Sequence, residues 1–364
     1  MSSELPAASA LYYHPACLRH SNGPGHPERP ERLEALSGML AAHYADVPLR
    51  EGRDATPEEI LLIHDRGYVD RLEAQRHGPF TMLDPDTGLG PGSLEAAYRG
   101  AGMTIDAALR LRSGEIDRPF VFSRPPGHHA EASRAMGFCL FNGVAIAARR
   151  LQQEYPGDRV AIIDYDVHHG NGSQWSFYDA PSVLYLSLHQ FPLFPGTGRL
   201  LETGGGSGQG RTVNLPMAGG KTDDDYFLAF DTLLLPILRE FSPDTIIVSA
   251  GFDAHEADPL GGMALSSAAY LRFTRRLLTV AEDVCHGRLL HVLEGGYNLE
   301  ALTESARLVL TVLTGTEAPR AGQPAPEDSP APAASPAPAD SPAQAPYREL
   351  EEAMVVQRQY WSSL

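Results

Sequence analysis

RVAIIDYDVHHGNG (159–172) opens with apolar and β-branched residues and closes with acids, histidines and glycines. A near-continuous apolar run of this length suits a strand buried on both faces, as in a parallel sheet covered by helices. Four more runs of the same kind occur: PFVFS (119–123), SVLYLSLH (182–189), TIIVSAG (245–251) and LLHVLEGG (289–296). Segments of helical period alternate with them, at 93–113, 140–154, 223–240, 266–286 and 299–314. The alternation predicts the α/β class, as a single-domain, open, mostly parallel sheet with helices on both faces.

Of 364 residues, 43% are hydrophobic and 21% charged, ordinary for one large α/β unit. Lys+Arg 29 against Asp+Glu 46 gives a net charge of −17, which leaves no electrostatic footprint for nucleic acid. An acidic surface favours cationic partners such as lysine-rich proteins or polyamines. Cys17, Cys139 and Cys285 are too scattered for a disulfide framework and form no CxxC pair, which suits a reducing compartment. MSSELPAASALYYHPACLRH (1–20) lacks a basic region followed by a continuous apolar core, and no run reaches the ~18 apolar residues of a membrane span. The expectation is a cytoplasmic protein with no membrane partner.

After Gly315 the composition changes: GQPAPEDSPAPAASPAPADSPAQAP (322–346) is almost wholly Pro, Ala, Ser, acid and Gln. Such a stretch cannot bury enough apolar surface to offset chain entropy. The expected organisation is a globular unit over 1–315, a disordered or polyproline-like linker over 316–346 and a short C-terminal helix over 347–364. In YRELEEAMVVQRQYWSSL (347–364), Leu350, Met354 and Trp361 fall near one side. That pattern fits a frayed tail, or a helix docked on its own domain or on another subunit of a homo-oligomer.

Open α/β sheets place their ligand sites at the C-terminal ends of strands, and the unusual residues of this chain gather there. In extended backbone, residues i and i+2 point to the same side, so Asp164, Asp166 and His168 can project together. Their oxygen and nitrogen donors suit a borderline divalent metal such as zinc. IIVSAGFDAHEADPLGG (246–262) offers Asp253 from a second strand end, and two carboxylates with one histidine leave positions open for water and substrate. HVLEGGYNLEAL (291–302) sets Tyr297 after a glycine pair, where a hydroxyl beside a metal can donate to a developing oxyanion. RPPGHHAEASRAMGFCLFNGVA (124–145) places His128 and His129 side by side after PFVFS. Adjacent imidazoles can divide the work of taking a proton from water and giving one to a leaving amine. Spacing alone leaves open a cap or turn role for Asp253, with His255 as a rival donor, and a packing role for Tyr297.

RPPGHH (124–129), GFCLFNGVAIAA (137–148), DYDVHHGNG (164–172), FPGTG (194–198), SAGFDAH (249–255), DPLGG (258–262), LEGGYN (293–298) and GHPERPERL (25–33) together resemble the zinc-dependent histone deacetylase family, which has an arginase-like fold. The resemblance implies zinc held by Asp166, His168 and Asp253, with Tyr297 polarising the substrate carbonyl. It implies His129 as principal general base and acid, and His128, paired with Asp164, as the residue tuning transition-state charge. Asn171 stands where class I members carry an aspartate, as in the class II branch and in bacterial deacetylase-like amidohydrolases. Phe138 and Phe194 match the two rings of a narrow tunnel, with Gly137, Leu260 and Gly295 also on the substrate path. Arg32 matches an arginine beside a product channel, with a surface salt bridge as the plain alternative. Asp164, Ser187 and Leu188 resemble a potassium site.

The implied reaction is hydrolysis of N-acyl-lysine side chains on a peptide or protein, or of an acylated small amine. Leu260 stands where polyamine deacetylases of this family carry a glutamate, which favours peptides. Against this, the loop TMLDPDTGLGPGS (81–93) with Glu256 and Asp258 can attract an amine. The rim residue that orients substrate is left open among Asp84, Asp86, Gly92 and Ser93. A manganese ureohydrolase would need a second set of ligands that the segment around Asp253 does not supply. A non-catalytic acyl-lysine binder would not need Tyr297, His129 and all three metal donors.

Overall fold

In the computed structural model, which describes residues 9–316 and 347–364, eight strands form one sheet: β1 (Ser9–Tyr13), β2 (Leu49–Arg50), β3 (Asp117–Phe122), β4 (Val160–Asp164), β5 (Val183–Gln190), β6 (Thr212–Met217), β7 (Thr245–Ala250) and β8 (Leu289–Leu293). Their order is β2-β1-β3-β8-β7-β4-β5-β6, and every pairing in the sheet is parallel. Every residue of β4, β7 and β8 is buried, the two-faced burial expected of apolar runs in a parallel sheet.

Helices surround the sheet: α1 (Glu31–His43), α2 (Ser93–Ser113), α3 (Gly143–Glu154), α4 (Ser267–Cys285) and α5 (Leu299–Thr314). The α2 helix packs on α3, and α5 packs on both α1 and α4. The segment expected to be helical over 223–240 runs to Phe241 through a π-helical turn at Phe230–Leu234. No helix among the described residues is long and apolar enough to cross a membrane.

Three strands escaped the sequence reading, and each is short or polar. β1 and β2 are five and two residues long, and β6 carries Asn214 and Pro216, the latter tolerated because this is an edge strand. The acidic loop 81–93 is in part a hairpin of Thr81–Asp84 and Thr87–Leu89.

The C-terminal helix, α6 (Arg348–Gln357), is shorter than expected and docks on its own chain beside β6. Leu350, Ala353 and Trp361 are buried, whereas Met354 is half-buried. Tyr347 Oη donates to Met217 Sδ at 3.2 Å, and Glu349 accepts from Ala218 N–H at 3.1 Å. Covering an edge strand in this way blocks pairing with another sheet. The linker expected over 316–346 lies, apart from Thr316, outside the described residues.

Candidate active site

β3, β8, β7 and β4 are neighbours in that order, so their C-terminal ends deliver residues 123–129, 294–297, 251–253 and 164–168 to one place. Asp166 Oδ1 and Asp253 Oδ2 lie 3.1 and 3.2 Å from His168 Nδ1, and donor atoms of these three buried residues all fall within 4.8 Å of one another. The expected trio is therefore assembled. His255 is turned away, 3.0 Å from Ser267 Oγ.

The backbone shapes a cradle around the trio. Gly295 N–H donates to Asp166 Oδ2 at 2.8 Å, and Val167 N–H donates to Asp253 Oδ1 at 2.8 Å. A Cβ at Gly295 would collide with Asp253 Oδ2, and one at Gly251 with Asp166 Oδ2. Gly295, expected on the substrate path, thus lies directly against the trio. Burial, together with the neighbouring charge of Asp166, pushes the Asp253 carboxyl up to about 7. Two carboxylates this close and this buried are stabilised by a shared proton or a cation beside them, and the donor set fits zinc.

The histidine pair splits electrostatically. His128 Nδ1 lies 3.1 Å from Asp164 Oδ2, which also accepts the Tyr185 hydroxyl at 3.0 Å. Burial opposes charge on His128, but Asp166 and Asp164 outweigh it and hold its pKa well above the ordinary value. His129 Nδ1 lies 2.8 Å from Asn171 Oδ1; burial and the charges of His128 and His168 hold it well below. The two rings are thus biased in opposite directions, His128 toward its charged form and His129 toward its neutral form, the arrangement that separates acid from base.

A cavity of about 250 Å³ reaches His168 of the trio, lined by Asp86, His129, Gly137, Phe138, His168, Leu193, Phe194, Leu260 and Tyr297. Phe194 stands edge-on to His129 at 5.2 Å, and Phe138 edge-on to Tyr297 at 5.8 Å. Gly137 sits at φ 55°, and any Cβ there would strike the His129 ring. Phe138 takes φ 69°, a region few side chains tolerate. The hairpin holds it there: Gly137 N–H donates to Asp86 Oδ1 at 3.1 Å and Phe138 N–H to Thr87 Oγ1 at 3.0 Å. Among the rim candidates left open by the sequence, Asp86 is the one lining the cavity.

Tyr297 is placed from behind. Arg32 is fully buried, not a surface ion pair; its Nε and Nη2 donate to the carbonyls of Gly296 and Glu294, both at 2.6 Å. Its guanidinium lies 4.9 Å from the Tyr297 ring centre, and Glu28 accepts from Nη1 at 3.2 Å. Burial raises the Tyr297 phenol well above its usual range, so it stays a proton donor.

Two supporting carboxylates act differently from the reading of the sequence, which gave Glu294 no role and Asp258 only that of attracting an amine. Glu294 Oε2 accepts Gly127 and His128 N–H at 2.6 and 3.1 Å, bracketing the histidine loop, and Asp258 accepts Tyr297 N–H. Asp164 and Ser187 lie side by side in the β4–β5 ladder, next to buried Leu188. Ser187 Oγ, however, meets His189 Nδ1 at 2.9 Å.

Fold and site together define a parallel α/β protein with a metal-competent Asp-His-Asp centre beside a cavity lined by Phe138 and Phe194. A model of the histone deacetylase domain matches residues 26–313, and the chain belongs to that family. Histone deacetylase 15 of Arabidopsis thaliana is 40% identical over 326 residues, covering 86% of this chain and 58% of that protein. A probable deacetylase of Archaeoglobus fulgidus is 36% identical over 323 residues, covering 87% of this chain and 89% of that one. The crystal structure of the HDA15 HD domain matches with a TM-score of 0.87 at 35% identity, covering 99% of this chain and 96% of the other.

Proposed function

We propose that the protein is a zinc-dependent amidohydrolase that removes acetyl or other acyl groups from N-acyl-lysine side chains. The observation carrying this reading is the convergence of His129, His168 and Tyr297 on one cavity walled by Phe138 and Phe194. A slender aliphatic stem fits between two rings, and its amide then lies among a base, a phenol donor and three metal donors.

Zinc held by Asp166, His168 and Asp253 would supply Lewis acidity to the substrate carbonyl and to the attacking water. Neutral His129 accepts a proton from that water and returns it to the amine nitrogen as the C–N bond breaks; the remaining water proton passes from the new carboxyl group to the amine, so that a carboxylate and an ammonium leave. Tyr297 donates its hydroxyl to the carbonyl oxygen as negative charge develops there. His128, charged and tied to Asp164, keeps a fixed positive charge beside the centre. For the potassium expectation, which rests on Asp164, Leu188 and the backbone around Ser187, the described side chains are hydrogen-bonded: Ser187 Oγ to His189, and Asp164 Oδ2 to His128 and Tyr185.

Leu260 on the cavity wall supports peptide substrates, because an apolar contact gives no attraction to a polycation. Asp86 on the same wall supports acetylpolyamines as the second reading. The deciding experiment measures kcat/KM of zinc-loaded protein on acetyl-lysine peptides and acetylpolyamines side by side, with metal-stripped protein as control. Metal-dependent turnover favouring peptides supports the first reading, a polyamine preference the second. No metal-dependent turnover of any N-acyl amine sinks both.

A further inference from the structure

Behind His129, the Asn171 amide could face either of two ways unless its surroundings decide. Turned by half a rotation, it would present its NH2 to His129 Nδ1. The imidazole would then have to carry its proton on Nε2, and the nitrogen needed as base would lose its lone pair. Three acceptors surround Asn171 Nδ2: a Glu131 carboxylate oxygen at 2.7 Å, the His129 carbonyl at 3.3 Å and Met136 Sδ at 3.3 Å. Carboxylate and carbonyl oxygens can only accept, so the NH2 faces them and Oδ1 faces His129. Glu131 makes the shortest of these contacts, and the charged one.

We propose that Glu131 is a positioning residue of this centre: through Asn171 it keeps the proton on His129 Nδ1 and leaves Nε2 free to accept another. The proposal rests on the deacylase reading above. Glu131 is itself held by a tight turn, its N–H donating to the Arg134 carbonyl at 3.0 Å and its own carbonyl meeting His64 Nδ1 at 3.0 Å. The carboxylate therefore reaches Asn171 from a fixed base.

The test is a double-mutant cycle on the zinc-loaded full chain, with Glu131→Ala and Glu131→Gln made in the wild-type and Asn171→Asp backgrounds. Aspartate at 171 accepts with either oxygen, so there Glu131 has nothing to orient and only repels, and removing it can cost nothing. In the wild-type background, Glu131→Ala is expected to lower kcat on an acetyl-lysine peptide on the order of 10-fold with KM little changed. Glu131→Gln, whose carbonyl still accepts from Asn171, recovers most of the loss. In the Asn171→Asp background Glu131→Ala costs nothing. Equal losses in both backgrounds, or no loss in the first, overturn the proposal. Nitrogen-15 spectra of His129 give a readout separate from turnover, and they decide the matter if Asn171→Asp is too slow to assay. The expected result is the Nδ1–H tautomer in wild type and a mixture in Glu131→Ala; an unchanged tautomer overturns the proposal. If wild-type protein deacylates no N-acyl-lysine, the functional reading fails while the spectra still test Glu131.

Discussion

Asp258 accepts the backbone N–H of Tyr297 at 2.6 Å with one carboxylate oxygen and that of Leu260 at 2.9 Å with the other. A single side chain thereby spaces the phenol from the tunnel wall. Asp258→Asn turns an N–H against one of these donors, leaving an unpartnered polar pair in a buried place. The expected result is a fall in kcat on the order of 10-fold and a stability loss of about 1–3 kcal/mol, read by steady-state kinetics and urea unfolding. Unchanged kcat would assign the placement of Tyr297 to Arg32 alone.

The proposed mechanism gives Tyr297 a second, separable role, as donor to the oxyanion. Tyr297→Phe keeps the ring that meets Phe138 and deletes only the hydroxyl. A drop in kcat of roughly 10²-fold or more with little change in KM is expected, because the hydrogen bond strengthens as charge develops. Near-wild-type turnover would remove the phenol from the chemistry.

Metal loading should be visible without any substrate. A ligand present at 100 times its Kd stabilises the folded chain by about 2.7 kcal/mol, so adding zinc to stripped protein should raise Tm. Asp253→Asn should abolish that rise. It should also stabilise the metal-free form, since it removes a carboxylate buried against Asp166. A full zinc-dependent shift in the variant, read by scanning calorimetry, would place the metal elsewhere.

The central strands were legible because burial on both faces forces long apolar runs, as in VAIID of β4. Edge strands face no such demand: Leu49–Arg50 has too few residues to show a period, and Thr212–Met217 hides behind Asn214 and Pro216. Asp166 and His168 were legible because i and i+2 at a strand end share a side, whereas Asp253, on another strand, was assigned through the family resemblance. What supports the trio was not. Glu294 reaches Gly127 across 167 residues, and Arg32 reaches Gly296 across 264, and contacts so distant leave no local pattern. Asp86 could be chosen over Asp84 only once the hairpin had turned one carboxylate toward Gly137 and the other toward Arg134.

A buried histidine that lines no part of the cavity sets part of the acid tolerance. His291 in β8 is fully buried, stacks on Phe120 at 5.8 Å, and has no hydrogen-bond partner for either ring nitrogen among the described residues. Burial lowers its pKa to about 3, against about 6.5 in the unfolded chain. Between those values the unfolded chain binds the extra proton, so stability is complete above about pH 6.5 and falls as pH drops towards 3. His291→Leu removes both orphan nitrogens, worth about 1–3 kcal/mol, and forfeits a ring contact worth about 0.5–1.5 kcal/mol, so a net gain is expected at neutral pH. At pH 5 the advantage should widen by about 2 kcal/mol, because wild type alone bears the proton linkage. Urea unfolding at pH 7.5 and pH 5 checks both parts. The same stability difference at the two values would mean that His291 already holds a proton in the folded protein, or that water partners it.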